Sequence, residues 1–148
     1  MFDGPEDRNG RRNADEIRFW QLYLSGTYGP APQSRFVLLG DANLDPQDSE
    51  GRNNVIRTLL ADPRFQDPAP VSEGGRIAGG GNEPERNTVD WPEPKPGNLR
   101  VDYVLPSADL SVVGSGVDWP APGDTGLKVV EKASVHRLVW IDLDIGGS

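Results

Sequence analysis

Four side chains of this sequence could cooperate in the hydrolysis of a phosphoester. Asp41 and Asn43 directly follow a short apolar run at positions 35–40. Asp102 interrupts a second apolar run, and His136, the single histidine of the chain, opens a third. If the three runs are strands, ordinary strand geometry could bring these side chains to one end of a sheet. Carboxylate and amide oxygens can hold a metal and the attacking water, and an oriented imidazole can contact the phosphate.

Each of these residues also has an ordinary structural explanation. Asn43 is acceptable in any turn, and His136 could be an incidental histidine at a strand edge. Asp102 is the hardest to explain in this way, because a carboxylate inside an apolar strand is costly unless it has a partner. We expect it to form a hydrogen bond with His136. The alternative is that it pairs with Arg100, Arg137 or backbone amides.

The spacing of Asp41, Asn43 and Asp45 is also that of the start of an EF-hand calcium loop. The rest of the loop does not fit. The sixth position should be Gly and is Pro46, and the twelfth should be Glu and is Arg52. An apolar strand also precedes the loop, where an EF-hand requires a helix. The sequence therefore predicts an Asx-rich turn at the end of a strand.

The composition restricts the metal and the partners. The chain of 148 residues has no Cys and one His, which excludes thiolate and multi-histidine metal sites and favours oxygen ligands for Mg²⁺, Mn²⁺ or Ca²⁺. A net charge of -8 without a Lys/Arg cluster disfavours duplex nucleic acid as a partner.

No apolar run approaches the roughly 20 residues that span a bilayer. Positions 1–8 lack the basic and apolar regions of a signal peptide, and the localisation is left open.

Hydrophobic periodicity predicts helices and strands within one domain, 1–148, without internal repeats. The expected elements are helices at 13–24 and 53–60 and strands at 35–40, 99–105, 110–117 and 137–143. Asn13 and Glu16 form a capping-box-like start for the first helix. Gly114 and Gly116 indicate a β-bulge or a close backbone approach within the third strand.

Positions 66–98 are rich in Gly, Pro and charged residues and are predicted to form a flexible loop. A loop of this length is a lid, a segment that orders with a partner, or a disordered stretch. Only Asp90, Trp91 and Pro92 are expected to be anchored.

Three segments resemble motifs of one known family. Residues 40–43, Gly-Asp-Ala-Asn, resemble its Gly-Asp-Phe-Asn motif, and residues 100–105, Arg-Val-Asp-Tyr-Val-Leu, resemble its Arg-Ile-Asp-Tyr strand. Residues 134–139, Ser-Val-His-Arg-Leu-Val, resemble its closing Ser-Asp-His-Arg-Pro-Val. The family is the endonuclease/exonuclease/phosphatase (DNase I-like) superfamily, and the resemblance is to its C-terminal half. It implies part of a two-sheet α/β sandwich, with a mixed, mostly antiparallel sheet and flanking helices.

The resemblance also implies a role for each residue in a metal-dependent phosphoesterase. Asp41 would bind Mg²⁺ (or Mn²⁺ or Ca²⁺) and activate or position the attacking water. Asn43 would assist in binding the metal and hold that water or a phosphate oxygen. Asp102 would fix the tautomer and charge of His136, which would contact the phosphate of a phosphodiester or phosphomonoester. The resemblance does not separate a nuclease from a phosphatase.

The chain departs from the family pattern in two respects. Val135 occupies the position of the family's Asp before the last His. The family's N-terminal half, which carries its main metal-binding Glu, has no counterpart in this sequence. We therefore expect low activity from this chain alone, and an apolar sheet face that needs the other half or self-association to cover it. The alternative function is a non-catalytic remnant or interaction module that keeps the fold.

Overall fold

The computed structural model describes residues 4–146, which form four α-helices and four β-strands. In chain order these are α1 (Arg8–Leu24), β1 (Val37–Asp41), α2 (Asn54–Leu60), α3 (Glu73–Ala78), β2 (Asp102–Pro106), β3 (Ser111–Asp118), α4 (Leu127–Ala133) and β4 (Leu138–Asp144). A 3₁₀ turn, Pro84–Arg86, follows α3. Residues 1–3, part of the stretch considered for a signal peptide, and residues 147–148 lie outside the described residues.

The strands pair into two small antiparallel sheets. β1 pairs with β2, and β3 pairs with β4. Isolated bridges join Val89 to Leu99 and to His136, so that one loop residue connects the start of β2 with the start of β4. The predicted α/β fold, with mostly antiparallel strands and flanking helices, is confirmed.

The main core lies between helices α1 and α2 and the β1–β2 sheet. Helix α1 contributes Ala14 and Ile17, and its apolar residues recur at the helical spacing expected from the sequence. Strand β2 contributes Tyr103 and Leu105, which alternate with less buried residues. The strand predicted at 99–105 begins at Asp102, and before it Leu99 and Val101 belong to a second cluster with Val89 while Arg100 between them is also buried, so burial does not alternate there. The other buried members of the main core are Leu44, Val55, Ile56, Leu59 and Phe65.

Helix α1 begins at Arg8, so the predicted start at Asn13 is wrong. Asn13 lies inside the helix, and its side chain donates a 2.9 Å hydrogen bond to the carbonyl oxygen of Ala42. The amide therefore joins the helix to the loop after β1 instead of capping a helix end. The arginines that precede it favour helix and extend α1 toward the N-terminus.

The segment 66–98 contains α3 and the 3₁₀ turn, and it contacts the sheets at more points than the sequence predicts. Thr88 and Val89 are completely buried, and Asn87 is 3% exposed. The prediction that only Asp90, Trp91 and Pro92 are anchored is therefore wrong, because the backbone of Thr88 and Val89 bonds to Leu99, before β2, and that of Thr88 also to Arg137, before β4. Flexibility of the remainder stays a prediction.

The β3–β4 hairpin carries the predicted irregularity and several exposed apolar side chains. The register shifts between Val112 and Gly114, which confirms the bulge. Leu138 and Trp140, two residues apart on one face of β4, are 67% and 41% exposed. Leu39 of β1 is also exposed. No helix in residues 4–146 combines the length and hydropathy needed to cross a bilayer.

Candidate active site

Pairing of β1 with β2 brings two of the four candidate residues together. Asp41, the last residue of β1, lies opposite Asp102, the first residue of β2. Gly40, just before Asp41, has φ 150, a conformation that residues with a side chain rarely adopt. Asp41, Asp102 and His136 each offer one ligand atom, and these three atoms lie within 4.8 Å of one another.

The predicted hydrogen bond between Asp102 and His136 is present. His136 Nδ1 lies 3.0 Å from Oδ2 and 3.2 Å from Oδ1 of Asp102. Because an ionised carboxylate only accepts hydrogen bonds, Nδ1 carries the proton, and Nε2 of a neutral ring is left as an acceptor. The bridge between Val89 and His136 and the 2.8 Å bond from Arg137 N–H to the carbonyl of Thr88 hold this strand beside the loop.

Thr88 is a site residue that the sequence reasoning missed. Its hydroxyl donates a 2.8 Å hydrogen bond to Asp102 Oδ2 and accepts from the backbone N–H groups of Val101 and Asp102, each at 3.0 Å. The same loop brings Trp91 against His136, with ring centroids 5.8 Å apart and an edge-on arrangement. A Thr–Val–Asp–Trp stretch within a Gly/Pro-rich region was the only sequence signal for either contact.

Burial raises the pKa of the Asp102 carboxyl above its ordinary value. The hydrogen bonds from Thr88 and His136 and the charge of His136 act in the opposite direction and limit the rise, whereas the nearby charge of Asp41 adds to it. Burial therefore disfavours the ionised form of Asp102, whereas the hydrogen bonds from Thr88 and His136 favour it.

The alternative partners predicted for Asp102 have other partners of their own. Arg100, 4% exposed, bonds to both carboxylate oxygens of Asp67 at 2.6 and 2.8 Å and lies over the ring of Tyr103. Arg137, 3% exposed, bonds to Asp90 at 2.7 Å. Both guanidinium groups are thus committed to their own carboxylates.

Asp45 has a structural role. Its Oδ1 accepts from the N–H groups of Gln47 and Asp48 at 2.7 and 2.8 Å, and its Oδ2 accepts from Arg100 N–H at 2.9 Å. Asp45 is 5% exposed, and its bonds fix the loop after β1 to the chain before β2. These hydrogen bonds agree with the rejection of an EF-hand, in which the carboxylate at the position of Asp45 would bind the calcium ion.

Asn43 lies in the loop with left-handed backbone, φ 49, a conformation that Asn tolerates well. Its N–H donates a 2.6 Å hydrogen bond to Asp41 Oδ1, which forms the predicted Asx turn. Asn43 also lines a groove beside the site, with Trp91. Its assignment to the metal or to the attacking water stays a prediction.

The described donors suit a hard divalent cation. Asp102 and His136 bond to each other, whereas Asp41 is the exposed member of the group and the best placed to ligate directly. Mg²⁺ is typically bound through one or two carboxylates, with water and substrate phosphate oxygens completing its shell. Val135, which replaces the family's Asp, is 49% exposed and contributes no oxygen from its side chain.

Comparison with known protein families supports the resemblance found in the sequence. A family model described as Endonuclease/Exonuclease/phosphatase family matches residues 3–140 of the 148-residue chain. The comparisons with curated proteins and with solved structures give no match. The match covers all three motifs, the whole of β1 and β2, and the first residues of β4. The chain therefore belongs to the endonuclease/exonuclease/phosphatase family.

Proposed function

We propose that this chain is a divalent-metal-dependent phosphoester hydrolase, with Asp41, Asn43, Asp102 and His136 as its catalytic residues. The observation that carries the proposal is the hydrogen-bonded Asp102–His136 pair with Asp41 inside the same 4.8 Å group. Family membership supports a hydrolase of the phosphoesterase or nuclease type, and members typically use divalent metals.

In this proposal the two carboxylates have different tasks because their surroundings differ. Asp41 is exposed and provides the oxygen for the metal and for the attacking water. A bound Mg²⁺ would supply charge neutralisation for the phosphate and a more acidic water. Asp102 is partly buried and bonded to His136, so it orients the imidazole rather than contacting solvent. In the imidazolium form, with Nδ1–H bonded to Asp102, Nε2–H of His136 would donate to a phosphate oxygen and stabilise the charge that develops there.

The proposal is tested by Mg²⁺-dependent hydrolysis of bis(p-nitrophenyl) phosphate by the purified chain. We expect a slow, metal-dependent rate that chelation abolishes and Mn²⁺ partly restores. His136→Ala should lower kcat by about 100-fold or more, the range of a lost acid–base group. Asp142→Asn on β4 is the matched control, since this exposed carboxylate lies outside the three-residue group.

A second candidate, a non-catalytic module that keeps the fold, is favoured by one observation, the Val135 side chain at the position of a family carboxylate. This candidate predicts no metal-dependent rate and equal behaviour of the wild type and His136→Ala. Such a result, from protein that melts cooperatively, would contradict the proposed hydrolase.

A further inference from the structure

A groove of about 770 Å³ lies beside the candidate catalytic group. Its volume falls in the usual range for sites that hold small organic ligands, roughly 300–1,000 Å³. Helix α1 forms one wall, the loop after β1 forms the floor, and the chain after Asp90 forms the other wall. The apolar residues of the lining are Leu44, Trp91, Pro92, Pro94, Pro96 and Leu99.

Two residues connect this groove to the catalytic group. Asn43 lines it and bonds through its N–H to Asp41. Trp91 lines it and contacts the imidazole of His136 edge-on, with 5.8 Å between ring centroids. Trp91 is held in place by its neighbour, because Asp90 donates from its N–H to the Val135 carbonyl at 2.9 Å. If the phosphate of a substrate lies at His136, its organic group would therefore extend into the groove.

The charges of the groove favour a neutral group. Its two cationic lining residues, Arg12 and Lys95, are paired with Glu16 at 2.8 Å and with Glu50 at 2.5 Å. A second phosphate would have to break one of these pairs and would meet the remaining carboxylates. An uncharged planar group instead meets the indole and the proline rings, and such stacking is insensitive to the exact substituents.

We propose that this groove binds the aromatic organic group of the phosphoester substrate and that Trp91 is the specificity-determining residue on which it stacks. The inference rests on the proposed function, because the phosphate is assigned to the Asp41, Asp102 and His136 group. It narrows the substrate class to phosphoesters of neutral aromatic groups, in preference to polyanions or simple alkyl esters.

The test compares two non-hydrolysable probes, phenylphosphonate and methylphosphonate, in the presence of Mg²⁺. Both present the same phosphonate, so the ratio of their affinities cancels any change at His136. We expect the wild type to bind phenylphosphonate about tenfold or more tightly, the effect of one stacked ring. Trp91→Ala should reduce that ratio to about one. Trp140→Ala, which removes another half-exposed tryptophan outside the groove, should leave it unchanged.

A second measurement needs neither a variant nor turnover. Titration of phenylphosphonate into protein with ¹⁵N-labelled tryptophan should shift the Trp91 indole signal and not that of Trp140. If this shift occurs but no ester is hydrolysed, the groove stands and the proposed function fails. An unchanged affinity ratio in folded Trp91→Ala, or no indole shift at saturating probe, would overturn the groove assignment even in an active enzyme.

Discussion

Thr88 Oγ1 donates a 2.8 Å hydrogen bond to Asp102 Oδ2 while accepting two bonds from the backbone that enters β2. A hydroxyl has one proton, and here that proton is committed to the carboxylate. Because Thr88 is completely buried, water cannot replace it. The orientation of Asp102, and through it that of His136, thus depends on a residue of the Gly/Pro-rich segment.

Thr88→Val should therefore affect both stability and the pH profile. Loss of the hydroxyl leaves two backbone N–H groups without their acceptor, which costs about 1–3 kcal/mol of unfolding free energy. It also removes a donor that lowers the pKa of Asp102, so that pKa rises and the acid limb of kcat/KM moves to higher pH. Thr88→Ser, which keeps the hydroxyl, should restore the limb. If the acid limb of kcat/KM stays at the same pH in Thr88→Val, that result would contradict a role of Thr88 in positioning Asp102.

Asp102→Asn should reduce activity while sparing stability. Burial raises the pKa of Asp102, so between the unfolded pKa of about 3.9 and the folded pKa this group makes stability fall as pH rises. At neutral pH the neutral amide avoids that cost, and the melting temperature should be unchanged or higher. Since Asn presents N–H₂ to His136 Nδ1, it selects the other tautomer, and kcat should fall by about 100-fold. A large drop in melting temperature would contradict this view.

Asp67→Asn should have the opposite result. Burial acts to raise the pKa of Asp67, but the hydrogen bonds and charge of Arg100 outweigh it and hold that pKa below its ordinary value. The pair therefore stabilises the fold above about pH 4 and is lost as pH falls through the lowered pKa. Removing the carboxylate leaves Arg100 buried and unpaired, at about 3–5 kcal/mol.

Urea titrations of Asp67→Asn from pH 3 to pH 7 measure this effect. The wild type should lose stability on acidification, and the variant should show a smaller loss. The control is Asp15→Asn, which breaks the exposed pair of Asp15 with Arg18, whose side chains are 74% and 52% exposed. This substitution should change the free energy of unfolding little. Equal effects of the two substitutions would contradict the importance of the buried pair.

Gly40→Ala should displace Asp41. Among residues 4–146, leaving out Gly40 and its two chain neighbours, no heavy atom lies within 4 Å of a Cβ added at Gly40, so the penalty comes from φ 150 alone, about 1–3 kcal/mol. Gly29, with φ 144 and equally open space, is the matched control. Both alanine variants should lower the melting temperature, but only Gly40→Ala should also reduce kcat. Equal kinetics for the two variants would show that Asp41 does not need this backbone conformation.

The sequence by itself predicted the four strands, helices α1 and α2 and the candidate site residues, but not helices α3 and α4. Apolar runs predicted all four strands to within a few residues, because short runs of apolar residues are typical of buried strands. The cost of a carboxylate inside an apolar strand predicted a partner for Asp102, and His136 is that partner. The three motif segments indicated the family to which the chain belongs.

Only the tertiary structure decided which residues support that site. Thr88 and Asp102 are 14 positions apart, Asp67 and Arg100 are 33 apart, and Asp102 and His136 are 34 apart. Hydrophobic periodicity indicates which face of one helix or strand is buried. It does not indicate which polar side chain, distant in sequence, will form a hydrogen bond with a residue of that element. Within the Gly/Pro-rich segment, composition indicated flexibility, whereas Thr88 and Val89 are held by hydrogen bonds and bridges to residues just before β2 and β4, which are distant in sequence. The sequence thus indicated the candidate groups, and the tertiary structure brought Asp41, Asp102 and His136 within 4.8 Å of one another.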